Sequence, residues 1–168
     1  ILRYLTNIET VGLYNAGYKL GMLMMLVVMG FNMAWQPFFL NKKKEERDYI
    51  AKVTTIVLSV LTFLWILLLI WSEDLVKLQL GDVTLLGEKY WPATKIIPII
   101  ALAYLFHALY LLQLPSIYLL EKSNWVAWIR GVGAGMNIIL NFLLIPKFGI
   151  MGAASATCVS FIMMVLIL

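Results

Sequence analysis

Long uncharged stretches alternate with short charged ones along the chain. Four uncharged stretches cover residues 20–41, 53–72, 96–120 and 148–168, and a fifth covers residues 131–146, or 124–146 if Arg130 is tolerated near its end. A helix needs about 20 mainly apolar residues to cross the hydrocarbon layer of a bilayer. Inside that layer the backbone polar groups must be paired within the segment, which favours helices. The pattern therefore predicts an all-α, polytopic transmembrane bundle of about five helices.

These helices are predicted as one transmembrane domain, over residues 11–40, 49–71, 93–118, 125–145 and 150–168. Residues 41–48 are predicted to form a charged loop, and residues 72–92 the longest polar connection. Alternating spans put Lys42, Lys43, Lys44, Arg47, Lys52, Lys122 and Arg130 at one side of the membrane, and Arg3, Lys77, Lys89, Lys95 and Lys147 at the other. Because Lys and Arg are enriched in cytoplasmic loops, we expect loop 41–48 in the cytoplasm and loop 72–92 outside.

Composition supports a membrane protein. The chain is 62% hydrophobic and 13% charged, against roughly 45–50% and about 25% in soluble domains. This excludes disorder, a disulfide scaffold and an ordinary soluble enzyme. One cysteine, Cys158, and one histidine, His107, provide no zinc-type ligand set, so we expect no metal and no cofactor. The basic charge follows the predicted topology and indicates no nucleic-acid partner, and the absence of a catalytic motif predicts that the chain is not an enzyme.

The first predicted helix carries a polar face. Asn15, Tyr18, Lys19 and Gln36 fall within a sector of about 100° when the chain is placed on a helix. A charge at the centre of a bilayer costs about 2.5–3.5 kcal/mol on insertion scales. The face therefore predicts a watery cavity or an anionic ligand, while the alternative is that Lys19 extends to the headgroups and has no further role.

The fourth predicted helix has a narrower polar line. Arg130, Asn137 and Asn141 recur at i, i+7 and i+11, within a sector of about 40°. Such a line is expected to face other helices or water rather than lipid. In the alternative interpretation the asparagines bond neighbouring helices and Arg130 reaches the cytoplasmic headgroups. Gly131 and Gly135 form a GxxxG pair, which favours close helix packing.

His107 is predicted to share a helix face with Tyr104, Tyr110 and Tyr118. The histidine is either a titrating switch or sugar-stacking group, or a structural residue hydrogen-bonded among tyrosines. All nine Asp and Glu residues fall outside the predicted spans. The spans therefore lack the carboxylate that proton or sodium relays normally use.

Residues 137–157, N-I-I-L-N-F-L-L-I-P-K-F-G-I-M-G-A-A-S-A-T, closely resemble the signature N-x-x-L-N-x-x-L-I-P-x-x-G-x-x-G-A-A-x-A-T. It belongs to the polysaccharide-biosynthesis flippases of the multidrug/oligosaccharidyl-lipid/polysaccharide exporter superfamily. Residues 1–20, 35–39 and 90–100 also look like corresponding segments of that family. The residues explain why the signature is a turn and packing pattern: Pro146 ends a helix, and the small residues after Gly149 permit close packing.

The resemblance implies that the chain comprises helices eight to twelve of a MATE-like transporter. Such a transporter has twelve to fourteen helices in two bundles that enclose a central cavity. It further implies flipping of undecaprenyl-pyrophosphate-linked oligosaccharide across a bacterial or archaeal cytoplasmic membrane by alternating access, as in O-antigen and lipopolysaccharide synthesis. Lys19 and Arg130 would then meet the pyrophosphate. The expected partners are this lipid-linked substrate, membrane lipids and an amino-terminal helical half of the same protein, because both ends look cut. The alternative function is a multidrug or toxin exporter on the same scaffold, and a membrane-embedded glycosyl- or acyltransferase lacks motif support.

Overall fold

The computed structural model is an all-α polytopic helical bundle that describes residues 1–41, 47–80, 83–84 and 86–168. A 3₁₀ helix, Glu88–Ile96, leads into α5, and the two-residue segments Gln79–Leu80 and Val83–Thr84 pair antiparallel. Four helical segments of the described chain are long and apolar enough to cross a membrane: α3, α4, the 3₁₀ helix with α5, and α6. The helices are α1 (Leu2–Leu5), α2 (Ile8–Gly21), α3 (Leu23–Leu40), α4 (Arg47–Lys77), α5 (Ile97–Leu119) and α6 (Ser123–Ile167).

Helix α6 contains two antiparallel arms rather than one straight rod. Gly149 has non-helical angles, φ 54° and ψ −129°, three residues after Pro146. The arms then pack side by side, since Gly152 lies against Leu144 and Gly133 lies against Met164. Residues 123–148 and 150–167 are therefore separate helical arms, and the predicted fourth and fifth helices correspond to them. The prediction that Pro146 ends the fourth helix is wrong, because Pro146 lies inside the first arm and the break is at Gly149.

The predicted first helix, residues 11–40, differs from the structure in two ways. It begins earlier, at Ile8, because the side chain of Asn7 caps it: Thr10 N–H donates to Asn7 Oδ1 at 2.8 Å. It is also interrupted at Met22, whose carbonyl accepts from Met25 N–H at 2.8 Å. This bond spans three residues instead of four, so a 3₁₀-type turn separates α2 from α3.

Both predicted loops are partly helical. Ser72–Lys77 of the predicted loop 72–92 belongs to α4, where Lys77 Nζ and Glu73 Oε2 pair at 3.6 Å across one turn. The end of the same loop, from Glu88, is 3₁₀ helix. In the predicted loop 41–48, Asn41 follows α3 and α4 begins at Arg47, while residues 42–46 lie outside the described residues.

Helix α5 is the central helix and contacts α2, α3, α4 and α6. Gly17 lies against Ile96 and Gly21 against Ile100, so α2 runs parallel to α5. Helix α3 is also parallel to α5, because Trp35 bonds to the carbonyl of Leu112, twelve residues beyond Ile100. Helix α4 runs the opposite way. Its Trp65 Nε1–H donates to the Pro98 carbonyl at 3.0 Å, while its earlier residues Val57 and Leu61 lie near Ala108 and Leu112.

Candidate functional site

A close helix contact positions the first of the predicted site residues. A Cβ on Gly17 would lie 2.6 Å from Ile96 Cγ1 and 2.7 Å from the Ala93 carbonyl oxygen. A Cβ on Gly21 would lie 2.7 Å from Ile100 Cβ. The absence of these two side chains lets α2 approach the start of α5 at backbone distance. As a result Tyr18, between the two glycines, reaches across to α5.

Aromatic rings continue from Tyr18 through the bundle. The Tyr18 and Tyr104 hydroxyl oxygens lie 2.7 Å apart, and the Tyr14 ring lies 5.6 Å from the Tyr18 ring. The Phe161 ring is 6.1 Å from Tyr104 and 4.6 Å from His107. The row ends at Tyr110, 6.0 Å from His107. We call these six residues the aromatic row. Two of them lie on α2, three on α5 and one, Phe161, on the second arm of α6.

Arg130 lies at one end of the aromatic row. Its Nε–H donates to the Tyr110 hydroxyl at 3.3 Å, and its guanidinium carbon lies 6.0 Å from the centre of the Tyr110 ring. Tyr110 is fully buried whereas Arg130 is exposed. The tyrosine therefore orients a cation whose charge remains accessible, and a guanidinium of this kind presents further N–H donors to an anion.

Lys19 and Asn15 lie beside the other end of the row, and both are exposed. Within the described parts of the chain, Lys19 has no ion-pair partner. Lys19 lies midway between Gly17, which contacts Ile96, and Gly21, which contacts Ile100. It is therefore level with position 98 of α5, about 18 Å along the helix from Tyr110. The structure thus places the two predicted cations at opposite ends of the aromatic row rather than in one cluster.

Asn137 and Asn141 bond to each other along α6. Asn141 Nδ2 donates to the Asn137 backbone carbonyl at 2.8 Å and to Asn137 Oδ1 at 2.9 Å. Asn141 is buried and Asn137 half-buried. These bonds run within one helix, so they differ from the interhelical bonds of the structural alternative. They also occupy Asn141 donors that a ligand would need.

Gln36 and His107 complete the predicted set. Gln36 is half-buried on α3, one turn from its end. His107 belongs to the row, but its Nδ1 is covered and has no hydrogen-bond partner among the described residues. The ring is held by packing against Phe161 rather than by a hydrogen bond through Nδ1.

Sequence reasoning missed several features of this region. Gly17 and Gly21 form a GxxxG pair that is visible in the sequence, and each packs closely against another helix. At Gly131 and Gly135, by contrast, a Cβ would meet no atom within 4 Å. The close packing predicted at Gly131 and Gly135 is therefore not found among the described residues, and it occurs instead at Gly17 and Gly21. Phe161 gave no signal, because one phenylalanine in an apolar helix looks like any other. The exposed Gln113 and Ser116 of α5 were also missed, although they stand out as polar residues one turn apart.

The described residues contain no group of three or more His, Cys, Asp or Glu side chains arranged to hold a metal ion. What the row offers is hydroxyl groups, aromatic faces and two separated cations. No protein-family model, curated protein or solved structure matches the chain. The chemistry of the site therefore rests on its own residues, which belong to a multi-pass membrane protein.

Proposed function

We propose that this protein is part of a flippase that moves a lipid-linked oligosaccharide, carried on undecaprenyl pyrophosphate, across a bacterial or archaeal cytoplasmic membrane. The observation that carries the proposal is the pair of exposed cations, Lys19 on α2 and Arg130 on α6, at opposite ends of the aromatic row, most of which lies on the membrane-spanning helices α5 and α6. A cation in such a position is costly unless water or an anion accompanies it. A pyrophosphate group supplies that anion to one of the two cations at a time, because they lie at opposite ends of the row.

The aromatic row suits the rest of the substrate. Tyrosine hydroxyls donate and accept hydrogen bonds, as sugar hydroxyls do, and their rings offer apolar faces. No bond of the substrate has to be made or broken, so the protein needs no catalytic group. It has to replace the hydration of the headgroup while the lipid tail stays in hydrocarbon. The resemblance of residues 137–157 to the flippase signature supports the same function.

A second candidate is export of lipophilic cations, and one cavity favours it. A cavity of about 520 Å³ is lined by residues of α3 and α4. The lining is aliphatic apart from Trp71 and the carboxylate of Asp74, and it includes Met24 and Leu68. An aromatic ring and one acid in an apolar pocket suit a cationic drug.

The test compares cells that depend on the full gene and carry Lys19→Ala, Arg130→Ala or the control Lys122→Ala. Lys122 is an exposed lysine just before α6, outside the aromatic row. Hydrogen bonds to charged groups contribute about 1.5–3 kcal/mol. Lys19→Ala and Arg130→Ala, here called the row variants because they remove the cations at the ends of the row, should therefore each weaken substrate binding roughly tenfold to a hundredfold. We expect lipid-linked glycan to accumulate in the inner leaflet with the two row variants and not with Lys122→Ala.

Unchanged glycan export in the two row variants would contradict the flippase proposal. If resistance to cationic dyes changed at the same time, the exporter would be favoured. Asp74→Asn then separates the two functions further, because it removes the acid of the α3–α4 cavity and leaves the aromatic row intact. Only the exporter predicts that this variant lowers dye resistance.

A further inference from the structure

A polar cleft that no residue of the aromatic row lines lies between the last turns of α4 and the 3₁₀ helix. Its volume is about 680 Å³. Charged side chains Glu73, Lys77, Glu88 and Lys95 line it together with the ring of Trp91. We call it the interfacial cleft. Its apolar wall includes Leu69 and Ile70, which are 48% and 62% exposed on the outside of α4.

The level of this cleft follows from the length of α4. The helix has 31 residues and is about 46 Å long, more than the roughly 30 Å of hydrocarbon. Its uncharged stretch ends at Ser72 and is followed by Glu73. The charged side chains therefore lie at the level of the lipid headgroups, with Trp91 at the boundary where tryptophan is enriched. Leu69 and Ile70 lie one turn deeper, at the level of acyl chains.

Among the residues that the structure describes, the charges of the cleft balance. Two carboxylates and two ammonium groups line it, and one pair, Lys77 Nζ and Glu73 Oε2, is 3.6 Å apart with both side chains exposed. A ligand of one sign would meet as many like charges as opposite ones. A ligand with a separated positive and negative charge can pair both of its charges. The headgroup of a zwitterionic phospholipid has this pattern.

The cationic group of that headgroup can be specified further. A quaternary ammonium is recognised by open aromatic faces, but Lys77 Nζ already lies 5.5 Å from the centre of the Trp91 ring. A primary ammonium instead donates hydrogen bonds to carboxylates, and such charge-assisted bonds are strong. Among the described residues of the cleft, Glu88 and the second carboxylate oxygen of the Lys77-paired Glu73 are the acceptors for it.

We propose that the interfacial cleft binds a phospholipid of the phosphatidylethanolamine type. Its ammonium pairs with Glu88 and Glu73, its phosphodiester pairs with Lys95, and an acyl chain follows Leu69 and Ile70. This proposal does not depend on the flippase proposal, because it concerns other residues and its test measures no transport.

The test measures which lipid stays bound. The full chain is reconstituted in vesicles with equal amounts of phosphatidylethanolamine, phosphatidylcholine and phosphatidylglycerol, extracted in mild detergent, and its co-purifying lipid quantified by mass spectrometry. We expect enrichment of phosphatidylethanolamine, and about a two- to fivefold loss of that enrichment in Glu88→Gln and in Lys95→Gln, as for exposed ion pairs. Glu121→Gln and Lys122→Gln, exposed charges between α5 and α6, are matched controls that should retain it.

Enrichment of phosphatidylglycerol instead, or an enrichment that Glu88→Gln and Lys95→Gln leave unchanged, overturns the proposal. Soluble phosphoethanolamine distinguishes binding of the whole lipid from binding of the headgroup alone. It should bind far more weakly than the lipid, and equal binding would rule out the acyl-chain contact. Circular dichroism checks that each variant keeps its helices. If Glu88→Gln loses helix signal, Glu73→Gln tests the same carboxylate pair.

Discussion

The hydroxyl oxygens of Tyr18 and Tyr104 lie 2.7 Å apart although 86 positions separate the two residues in the chain. This bond joins α2 to the central, membrane-spanning helix α5. It exists because Gly17 and Gly21, on either side of Tyr18 in the sequence, let the two helices approach closely. The aromatic row therefore depends on a glycine contact as much as on its own tyrosines.

Removing one of these hydroxyls should destabilise the bundle. Tyr104→Phe leaves the Tyr18 hydroxyl without its partner in a half-buried position. We expect the free energy of unfolding to fall by about 1 kcal/mol, since a lost hydrogen bond costs about 0.5–1.5 kcal/mol and interhelical bonds in membranes average about 0.6 kcal/mol. Unfolding of the full chain from mixed micelles by sodium dodecyl sulfate measures this change.

The double variant Tyr18→Phe/Tyr104→Phe distinguishes the bond from the loss of each hydroxyl alone. It should cost less than the sum of the two single changes, because no polar group is left unpaired. Tyr4→Phe is the control, as Tyr4 is 91% exposed and should change stability little. Strict additivity of the two single changes would contradict a direct hydroxyl–hydroxyl bond.

The glycine contact makes a sharper prediction. Gly17→Ala would bring a methyl group to 2.7 Å from the Ala93 carbonyl oxygen, which belongs to backbone and cannot rotate away. We expect a loss of about 1–3 kcal/mol, as for overpacked cores, together with a weaker Tyr18–Tyr104 coupling. The double-mutant cycle above, repeated in the Gly17→Ala background, measures both effects.

Gly131→Ala is the matched control for that change. A Cβ at Gly131 meets no atom within 4 Å, so alanine gains helix propensity without a clash and should be neutral or stabilising by up to about 1 kcal/mol. Equal losses at Gly17 and Gly131 would contradict the contact between α2 and the 3₁₀ helix.

The sequence predicted the helices and their alternation well because hydropathy reports directly on the solvent that each residue prefers. Helix ends depended on local bonds that hydropathy does not carry. The Asn7 cap lets α2 begin earlier in the chain than predicted. The Glu73–Lys77 pair accompanies the extension of α4 beyond its apolar stretch. The break at Met22 follows from a single three-residue hydrogen bond, for which the sequence contains no proline signal.

Contacts between helices were harder to predict than the helices. The same GxxxG spacing occurs at Gly17 and at Gly131, but only the first pair meets another element of the described chain. Spacing defines a face of one helix and not the neighbour that covers it. For the same reason the polar line through Arg130 was predicted, whereas its bond to the buried Tyr110 was not.

Trp35 should contribute strongly to the stability of the α3–α5 contact. It is 2% exposed, and its Nε1–H donates to the Leu112 carbonyl at 3.1 Å. Phenylalanine has no ring N–H, so Trp35→Phe removes this interhelical hydrogen bond from a buried contact and leaves a smaller ring there. We expect Trp35→Phe to lower the free energy of unfolding by about 1–3 kcal/mol.

The control for Trp35 is Trp128→Phe, since Trp128 is 70% exposed. An exposed substitution of this kind usually changes stability by no more than about 0.5 kcal/mol. If both variants lost the same stability in the detergent titration, the loss would come from the tryptophan ring in general. The hydrogen bond to Leu112 would then have no special weight.

Gly149 should be the least replaceable residue of the α6 turn. Its φ of 54° with ψ of −129° is a conformation that side chains with a Cβ rarely adopt. No atom lies within 4 Å of a Cβ placed there, so the cost of Gly149→Ala is conformational, about 1–3 kcal/mol. Relaxing that strain requires the turn to open, which separates Gly152 from Leu144 and Gly133 from Met164.

Gly135→Ala has the same open surroundings with ordinary helical angles, so it should be neutral or stabilising in the same unfolding titration. A loss at position 149 no larger than at position 135 would mean that the two arms do not require this reversal.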